Sequence, residues 1–235
     1  MTYEPNNIYC VDCYEAIKQL PDKSVDLIVT DPPYLMETRG GGFHKKRDYY
    51  DEIHNGGLAV GIKEELLKEF ERVMKKTNIY IFCNKNLLPM LFKFYEKKNF
   101  DLLVWHKTNP IPTVNQKYLS DIEYVFFARD KGVEMYNDYS TSSKVYTSTV
   151  NKEDKDKFEH QTIKPLPFVQ RLISNSSQPN DIVLDCFIGS GTTAVACKNL
   201  GRQYIGFEIN PKWHKIAVDR LNNIQANGQI SLFTE

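Results

Sequence analysis

The sequence lacks the features that mark a membrane-embedded, secreted or strongly charged protein. None of its apolar runs reaches the length of a membrane-spanning helix, and its first ten residues, MTYEPNNIYC, do not have the layout of a signal peptide. Its 30 basic and 30 acidic side chains cancel, so net charge indicates no acidic partner, and any contact with nucleic acid has to come from local clusters of charge. We therefore expect a cytoplasmic protein that has no membrane partner.

Cysteine is also scarce, and its pattern argues against a disulfide framework or a metal site. The number of cysteines is odd, and most lie in apolar segments, as buried reduced thiols do: Cys10, Cys13, Cys83, Cys186 and Cys197. Cys10 and Cys13 form a single C-x-x-C pair, and the sequence has no second pair to complete a zinc site. We expect these cysteines to be small core residues, and we expect no metal.

Short apolar runs alternate with amphipathic helical patterns along the chain. The patterns predict helices over 62–76 and 211–224, with Asn210 as the N-cap of the second and Pro211 at its first position. Several strand candidates are continuously apolar, as strands covered on both faces are. The predicted strands are residues 8–11, 25–30, 79–83, 100–106, 122–128, 182–186 and 203–207. This alternation predicts an α/β fold with a doubly wound, mostly parallel, seven-stranded sheet.

The length of the chain suits a single domain over residues 1–235. Two stretches interrupt the alternation. Residues 36–61 are glycine-rich and contain RGGGFHKKR, whereas 137–159 are rich in serine, threonine and lysine without periodicity. Loops of this length in a compact α/β domain are usually functional or disordered. We expect 36–61 to be a mobile loop.

The segment DIVLDCFIGSGTTAVACKNLG has the pattern of a strand, a glycine turn and a helix. Gly189, Gly191 and Ala194 satisfy G-x-G-x-x-A, the dinucleotide-binding pattern, and the free N–H groups at the start of a helix favour an anion. Glu208 ends the next strand, 23 residues after Asp185, where an acid can accept hydrogen bonds from a ribose diol. The combination predicts a nucleoside cofactor without identifying it, and a nicotinamide or flavin oxidoreductase remains an alternative.

The stretch VTDPPYL ends a buried strand on Asp31, Pro32, Pro33 and Tyr34. Two prolines make the corner stiff, and the same residues would also make an ordinary turn. However, a carboxylate and a neighbouring carbonyl can accept the two N–H bonds of an exocyclic base amine and stabilise the positive charge that develops when it reacts. An aromatic ring can stack on a base that has left the duplex. The corner therefore predicts chemistry on a nucleobase amine.

Three segments together resemble the S-adenosylmethionine-dependent amino-methyltransferases of DNA. VTDPPY resembles their catalytic motif, and its Asp is more typical of adenine-N6 than of cytosine-N4 enzymes, which usually carry Ser. DCFIGSGTT resembles their cofactor motif, and HQTIKP resembles their H-P-T-x-K-P element, with Gln161 in place of the usual Pro. The catalytic motif precedes the cofactor motif, as in the β group of the family. The resemblance implies a Rossmann-like methyltransferase fold with permuted motif order.

The resemblance also implies roles for individual residues. Asp31 and the carbonyl of Pro32 would hold the target amine and Tyr34 would stack on the flipped base, which makes Asp31, Pro32, Pro33 and Tyr34 the catalytic set. The cofactor S-adenosylmethionine would be bound by Asp12, Asp31, Thr162, Lys164, Asp185, Phe187, Gly189, Gly191, Thr192, Thr193 and Glu208. Of these, Thr162, Lys164, Thr192 and Thr193 would lie near its methionine end. For Asp12 an equal alternative is a capping box with Glu15.

Double-stranded DNA is the implied partner, and the basic loop residues Arg39, Lys45, Lys46 and Arg47 are candidates for phosphate contacts or for a solvated surface. The segment WHKTNPIP resembles a family segment near the target pocket, although an ordinary strand exit explains it equally well. Target recognition is expected at 129–159. That segment is short, which fits a simple recognition site or a homodimer, and a cognate restriction endonuclease would be a further partner.

Several functions remain open at this stage. Cytosine-N4 methylation would use the same site, RNA could replace DNA, and a non-catalytic nucleic-acid module or an oxidoreductase belongs to a different class. The sequence argues against a cytosine-C5 enzyme, because those enzymes use a cysteine nucleophile after proline and no cysteine of this chain follows a proline. We expect a site-specific DNA adenine-N6 methyltransferase that acts by direct attack, without a covalent enzyme intermediate.

Overall fold

The computed structural model describes residues 3–34, 61–110, 112, 118–149 and 163–226. Its strands are β1 (Asn7–Cys10), β2 (Leu27–Thr30), β3 (Asn78–Cys83), β4 (Asn99–Lys107), β5 (Ile122–Arg129), β6 (Val145–Ser148), β7 (Ile182–Asp185) and β8 (Gln203–Glu208). Its helices are α1 (Cys13–Ala16), which continues into a 3-10 turn over Ile17–Gln19, α2 (Glu64–Val73), α3 (Leu88–Phe94), α4 (Leu166–Ser176), α5 (Thr192–Asn199) and α6 (Pro211–Ala226). None of the helices in these ranges is long and apolar enough to cross a membrane.

The strands form one sheet in the order β1-β8-β7-β2-β3-β5-β4-β6. Every neighbouring pair is parallel except the two pairs that involve β5. The predicted α/β class with a doubly wound, mostly parallel sheet is confirmed, and all seven predicted strands are present with ends that differ by two residues or fewer.

Within the described ranges, the sheet has eight strands rather than the seven predicted. The additional strand, β6, lies in the stretch 137–159, which was predicted to have no regular structure, and it pairs in parallel with β4. As an edge strand it is supported on one side only, and Val145 is half exposed, so its sequence carries no burial signal. Pairing with β4, rather than an amphipathic pattern, makes this segment a strand.

Helices cover both faces of the sheet because successive strand residues point to opposite sides. On β2, Ile28 packs in the core under α1, α2 and α3, whereas Leu27 and Val29 pack in the core under α4, α5 and α6. All six residues of β3 are buried, which explains the apolar run that follows Asn78. Burying a side chain of this size stabilises the fold by about 1.5–3 kcal/mol, so the central strands fix the scaffold.

The start of α6 confirms the predicted cap. The backbone N–H of Lys212 donates a hydrogen bond of 2.9 Å to Oδ1 of Asn210, and Pro211 occupies the first helical position, where no N–H is needed. The other predicted helix is shorter than its pattern, because α2 ends at Val73 and Met74 already has an extended backbone. All five cysteines are free thiols, and all but Cys10 are buried.

The sheet reverses its winding between β7 and β2. From β7 the chain passes through α5 to β8 on one side, whereas from β2 it continues to β3 on the other side. Open α/β sheets bind ligands in the crevice beyond the carboxyl ends of the strands at such a switch point. The glycine turn follows β7 and the D-P-P-Y corner follows β2, so the fold brings the two motifs to this crevice.

Candidate active site

Asp185 connects the two motifs across the switch point. It is buried at the end of β7, and its carboxylate accepts hydrogen bonds from Thr30 Oγ1 at 2.9 Å, Thr193 Oγ1 at 2.7 Å and the backbone N–H of Phe187 at 3.0 Å. Burial raises the pKa of Asp185 to about 6, although these hydrogen bonds favour its charged form. The carboxylate therefore fixes the start of the glycine turn to the strand that carries the catalytic corner.

The acid at the end of β8 meets the glycine turn. Oε2 of Glu208 accepts a hydrogen bond of 3.0 Å from the N–H of Gly189, and Oε1 accepts one of 2.8 Å from the N–H of Asn210. Burial raises the pKa of Glu208, and the backbone hydrogen bonds act against this shift. Gly189 has a φ of 52°, in the left-handed region that favours glycine. The glycine turn therefore orients Glu208, the residue that is predicted to bind the ribose.

Gly191 lies where two helices pack closely. Its φ is 82°, and a Cβ added there would lie 3.0 Å from Cβ and 3.2 Å from Cα of Ala217 on α6. Gly191 caps the start of α5, so its lack of a side chain lets α5 and α6 pack closely. A side chain at Gly191 would therefore collide with α6, and the predicted contact of Gly191 with the cofactor stays a prediction.

The two threonines after the glycine turn are engaged within the protein. Thr193 donates to Asp185, as described above, and Thr192 Oγ1 accepts a hydrogen bond of 3.0 Å from Nη1 of Arg220, which also reaches the carbonyl of Ser190 at 3.3 Å. Thr192, Thr193 and Arg220 are all buried. The hydroxyl groups of the two threonines thus stabilise the conformation of the glycine turn. The predicted contact of these threonines with the cofactor stays a prediction.

Asp12 is an N-cap in the structure. Its Oδ1 accepts a hydrogen bond of 2.9 Å from the N–H of Tyr14 at the start of α1, and Glu15 forms an ion pair of 2.8 Å with Lys18. Asp12 also lines a cavity of about 330 Å³ together with Tyr14. Capping is therefore observed, whereas the predicted contact of Asp12 with the cofactor adenine stays a prediction.

The catalytic corner places one carboxylate oxygen of Asp31 in an unusual position. Oδ2 of Asp31 lies 2.6 Å from Nζ of Lys164, but Oδ1 is buried and has no hydrogen-bond partner among the described residues. Burial raises the pKa of Asp31 and the neighbouring charge of Glu123 raises it further, while Lys164 acts in the opposite direction. A buried acceptor without a donor costs free energy, so this geometry is suited to a ligand that brings an N–H group.

Glu123 and Lys107 join Asp31 and Lys164 in a cluster of four charged side chains. The sequence did not identify Glu123 or Lys107 as a site residue. Oε1 of Glu123 lies 2.6 Å from Nζ of Lys164 and accepts a hydrogen bond of 2.5 Å from the hydroxyl of Tyr34, while Oε2 lies 2.8 Å from Nζ of Lys107. Burial alone would raise the pKa of Glu123, but Lys164 and Lys107 outweigh it and lower the pKa to about 2. The signal in the sequence was a single acid inside the apolar strand IEYVFFAR.

Lys164 lies between two carboxylates of the protein itself. Its ammonium contacts Asp31 and Glu123 and lies over the rings of Phe82, at 5.1 Å from the centroid, and Tyr34, at 5.5 Å. Burial would lower the pKa of Lys164, but the two acids raise it. The structure gives Lys164 contacts in the catalytic corner, and its expected position near the methionine end of the cofactor stays a prediction.

Several predicted residues lie outside the described part of the chain. These are Thr162 and the basic residues Arg39, Lys45, Lys46 and Arg47. Only Gly61 of the predicted loop 36–61 is described, and the target-recognition segment 129–159 is described as far as residue 149. No group of three or more His, Cys, Asp or Glu side chains in the described ranges is arranged to hold a metal ion.

Comparison of the sequence with known proteins identifies relatives over nearly its whole length. A family model described as DNA methylase, for N6 and N4 methyltransferases, matches residues 25–219. The chain is 30% identical to the type II methyltransferase M.HinfI of Haemophilus influenzae, over 94% of this chain and 70% of that protein. It is also 30% identical to M2.LlaDCHI of Lactococcus lactis subsp. cremoris, over 94% and 91% of the two chains.

Solved structures agree with the sequence relatives. M1.HpyAVI, which has also been solved as a complex with SAM, has a TM-score of 0.66 and 29% identity over 94% of this chain and 99% of its own. The cytosine-N4-specific PvuII DNA methyltransferase has a TM-score of 0.69 over 97% of this chain and 95% of its own, at 16% identity, which shows a shared fold alone. By the extent of these matches and by its own motifs, the chain belongs to the N6/N4 family of DNA methylases.

Proposed function

We propose that the protein transfers a methyl group from S-adenosylmethionine to the N6 amine of an adenine flipped out of double-stranded DNA. The observation that carries this proposal is Oδ1 of Asp31, a buried acceptor without a donor in the described structure, at the switch point of the sheet. A base amine would supply the missing N–H group, and Lys164 keeps the other oxygen of Asp31 engaged.

Asp31 and Pro32 act on the amine in this mechanism. The lone pair of an exocyclic amine is delocalised into the ring of the base, which makes the nitrogen a poor nucleophile. Oδ1 of Asp31 and the carbonyl of Pro32 accept the two N–H bonds, which draws the nitrogen towards tetrahedral geometry and stabilises the positive charge that develops on it. The nitrogen would attack the methyl carbon directly, with no covalent intermediate on the protein. The bond between that carbon and the sulfur of the donor would break, its electron pair would stay on the sulfur, and one amine proton would pass to solvent.

Tyr34 supplies a surface for the flipped base. Its hydroxyl is held by Glu123 and the ammonium of Lys164 lies over its ring, which fixes the orientation of the ring. The flipped base would stack on the opposite face. Stacking of a base on an aromatic ring contributes about 1–3 kcal/mol and compensates part of the cost of unstacking the base from the duplex.

The glycine turn and Glu208 fit the cofactor. S-adenosylmethionine supplies an electrophilic methyl group when it is bound. Each oxygen of Glu208 receives one backbone N–H and can accept a further hydrogen bond from a ribose hydroxyl. Asp185, Phe187, Gly189 and the two threonines at 192 and 193 would form the wall of the same crevice. Matching structures that were solved with SAM, at 29% and 25% identity, support this assignment.

The DNA partner is assigned on family membership and on the basic stretch. The loop that carries Arg39, Lys45, Lys46 and Arg47 follows the catalytic corner in the sequence, and these residues would contact phosphates around the flipped base. The homologues named above are type II methyltransferases, which supports a site-specific enzyme of a restriction-modification system. A homodimer, a cognate endonuclease and the cytoplasmic location stay predictions.

Cytosine-N4 methylation is the second candidate. Adenine N6 and cytosine N4 are both exocyclic amines with two N–H bonds, so Asp31 and Pro32 can hold either one. We favour adenine because the corner carries Asp31 where cytosine-N4 enzymes usually carry Ser. The family match makes the oxidoreductase that the glycine turn alone allowed the weaker alternative.

One experiment separates these candidates. The purified protein is incubated with DNA and with S-adenosylmethionine that carries a deuterated methyl group, and the nucleosides of the digested DNA are analysed by mass spectrometry. Labelled N6-methyldeoxyadenosine is expected. Labelled N4-methyldeoxycytidine would establish the second candidate, and label in a parallel RNA sample alone would move the substrate to RNA. An absence of label in every nucleoside, from a protein that binds the cofactor, would refute the proposal.

A further inference from the structure

Glu123 is the most completely bound carboxylate of the catalytic corner, although no recognised motif contains it. It lies on β5 with its side chain buried. One oxygen is shared by Lys164 and the hydroxyl of Tyr34, and the other is bound by Lys107, which lies at the end of β4. These three donors hold the carboxylate in one orientation, and the loss of either lysine would leave part of its buried charge uncompensated.

The cluster is a chain of alternating charges that ends at the open oxygen of Asp31. It runs from Lys107 to Glu123, from Glu123 to Lys164, and from Lys164 to Oδ2 of Asp31, over contacts of 2.8, 2.6 and 2.6 Å. Two carboxylates and two ammonium groups leave it neutral. Without Glu123, the ammonium of Lys164 would be free to lie between both oxygens of Asp31, where a lysine can donate to each. Oδ1 would then no longer be an open acceptor.

We propose that Glu123 is a positioning residue of the methyl-transfer reaction and acts through Lys164 and Tyr34. It holds the ammonium of Lys164 on Oδ2 of Asp31, which reserves Oδ1 for the target amine, and it fixes the ring of Tyr34 by its hydroxyl. Lys107 balances the charge of Glu123. This role rests on the proposed function, because the open oxygen has a substrate only if the protein methylates a base amine.

The key variant is Glu123→Gln, which keeps the size and one acceptor but removes the charge. We expect kcat to fall by about 10- to 100-fold, since a displacement of about 1 Å in a positioned group has costs of this size. The dissociation constant of S-adenosylmethionine should change far less than kcat, because Glu123 contacts the corner after β2 and not the glycine turn or Glu208. A change in kcat without a comparable change in cofactor affinity is not expected of a residue that only supports the fold.

The pH dependence of kcat gives a second, independent readout. The charge of Glu123 raises the pKa of Asp31 and the charge of Lys164 lowers it. The acid limb of kcat should therefore move to lower pH in Glu123→Gln and to higher pH in Lys164→Met, since Asp31 accepts the amine in its charged form. Among the described residues, the titratable groups that interact with Asp31 are Lys164, Glu123, Tyr34, Cys83 and Asp185.

Glu71→Gln is a matched control. Glu71 is also a partly buried acid with a lysine and a hydroxyl as partners, because it lies 3.1 Å from Nζ of Lys98 and accepts a hydrogen bond of 2.7 Å from Thr77. Thr77 directly precedes β3, so this cluster lies at the end of the sheet opposite the catalytic corner. Its variant should lose thermal stability as Glu123→Gln does, but it should keep the kcat of the wild type.

The outcomes are distinct. If wild-type protein methylates DNA, and Glu123→Gln has the same kcat and the same acid limb in its pH profile of kcat, the positioning role is overturned. If Glu123→Gln loses kcat, cofactor affinity and thermal stability together with no shift of the limb, Glu123 is a structural residue, which also overturns it. Wild-type protein that binds S-adenosylmethionine but methylates no DNA would instead contradict the proposed function itself.

Discussion

Thr30 Oγ1 donates a hydrogen bond of 2.9 Å to Oδ1 of Asp185, which joins the end of β2 to the end of β7. These two strands are neighbours in the sheet but lie far apart in the chain, on either side of the switch point. The bond couples the position of the catalytic corner to that of the glycine turn. A nucleophile held at one motif and a methyl donor held at the other need this fixed relation, because transfer depends on their alignment.

The carboxylate of Asp185 should make stability depend on pH. Burial raises its pKa from 3.8 to about 6, so the folded state favours the protonated form. This stabilisation is fully present below pH 3.8 and is lost as the pH rises towards 6. The loss amounts to at most about 3 kcal/mol, since one pKa unit corresponds to about 1.4 kcal/mol. Urea denaturation of wild type and Asp185→Asn should show the wild type losing stability relative to the variant across this range. A constant difference between the two would contradict the assigned shift.

Asp31→Asn should abolish most methyl transfer while leaving S-adenosylmethionine affinity largely intact. The amide keeps the size of the side chain but turns one acceptor into a donor, and the expected loss is about two to three orders of magnitude in rate. Asp26→Asn is the control, because Asp26 precedes β2, pairs with Lys75 at 2.7 Å and accepts a hydrogen bond of 3.0 Å from the N–H of Ile182. Asp26→Asn should retain activity, and near-normal turnover of Asp31→Asn would remove Asp31 from the mechanism.

Gly191→Ala should destabilise the fold, and Gly132→Ala separates the two causes. Both glycines have a φ near 80°, but an added Cβ lies 3.0 Å from Ala217 at position 191 and has nothing within 4 Å at position 132. Backbone strain of this kind costs about 1–3 kcal/mol and should affect both variants. The packing conflict with α6 should lower the unfolding free energy of Gly191→Ala further. Equal losses in chemical denaturation would show that α6 adjusts without cost.

Reversal of Lys45, Lys46 and Arg47 to Glu should weaken DNA binding and flatten its salt dependence, with cofactor affinity unchanged. Each phosphate contact contributes about 0.9 to the slope of log K against log salt concentration. The matched control reverses three exposed lysines that pair with a carboxylate three or four residues away: Lys18, Lys68 and Lys215. The measurement is a salt titration of DNA affinity. Identical slopes for the two triple variants would place the DNA path elsewhere.

Local sequence patterns were enough to predict the scaffold. The apolar runs gave every strand that is buried on both faces, because such strands need no help from distant residues to be recognised. Asn210 and Pro211 gave the start of α6 for the same reason, since a cap depends on the first turn of its own helix. The corner at Asp31 was recognisable because two adjacent prolines make it stiff. The turn at Gly189 was recognisable because its left-handed backbone favours glycine. The sequence by itself therefore determined the fold class, the motifs and the family.

Only the tertiary structure decided which side chains of the site contact one another. Glu123 meets Lys107, Lys164 and Tyr34 because four separate elements converge at one end of the sheet, and no local pattern records such convergence. Position 191 needs a glycine because Ala217 leaves no room for a Cβ there, and Ala217 lies on a helix that begins 20 residues later. The edge strand β6 exists because β4 offers it backbone partners. Burial and charge pairing depend on which side chains become neighbours, and that is a property of the folded chain.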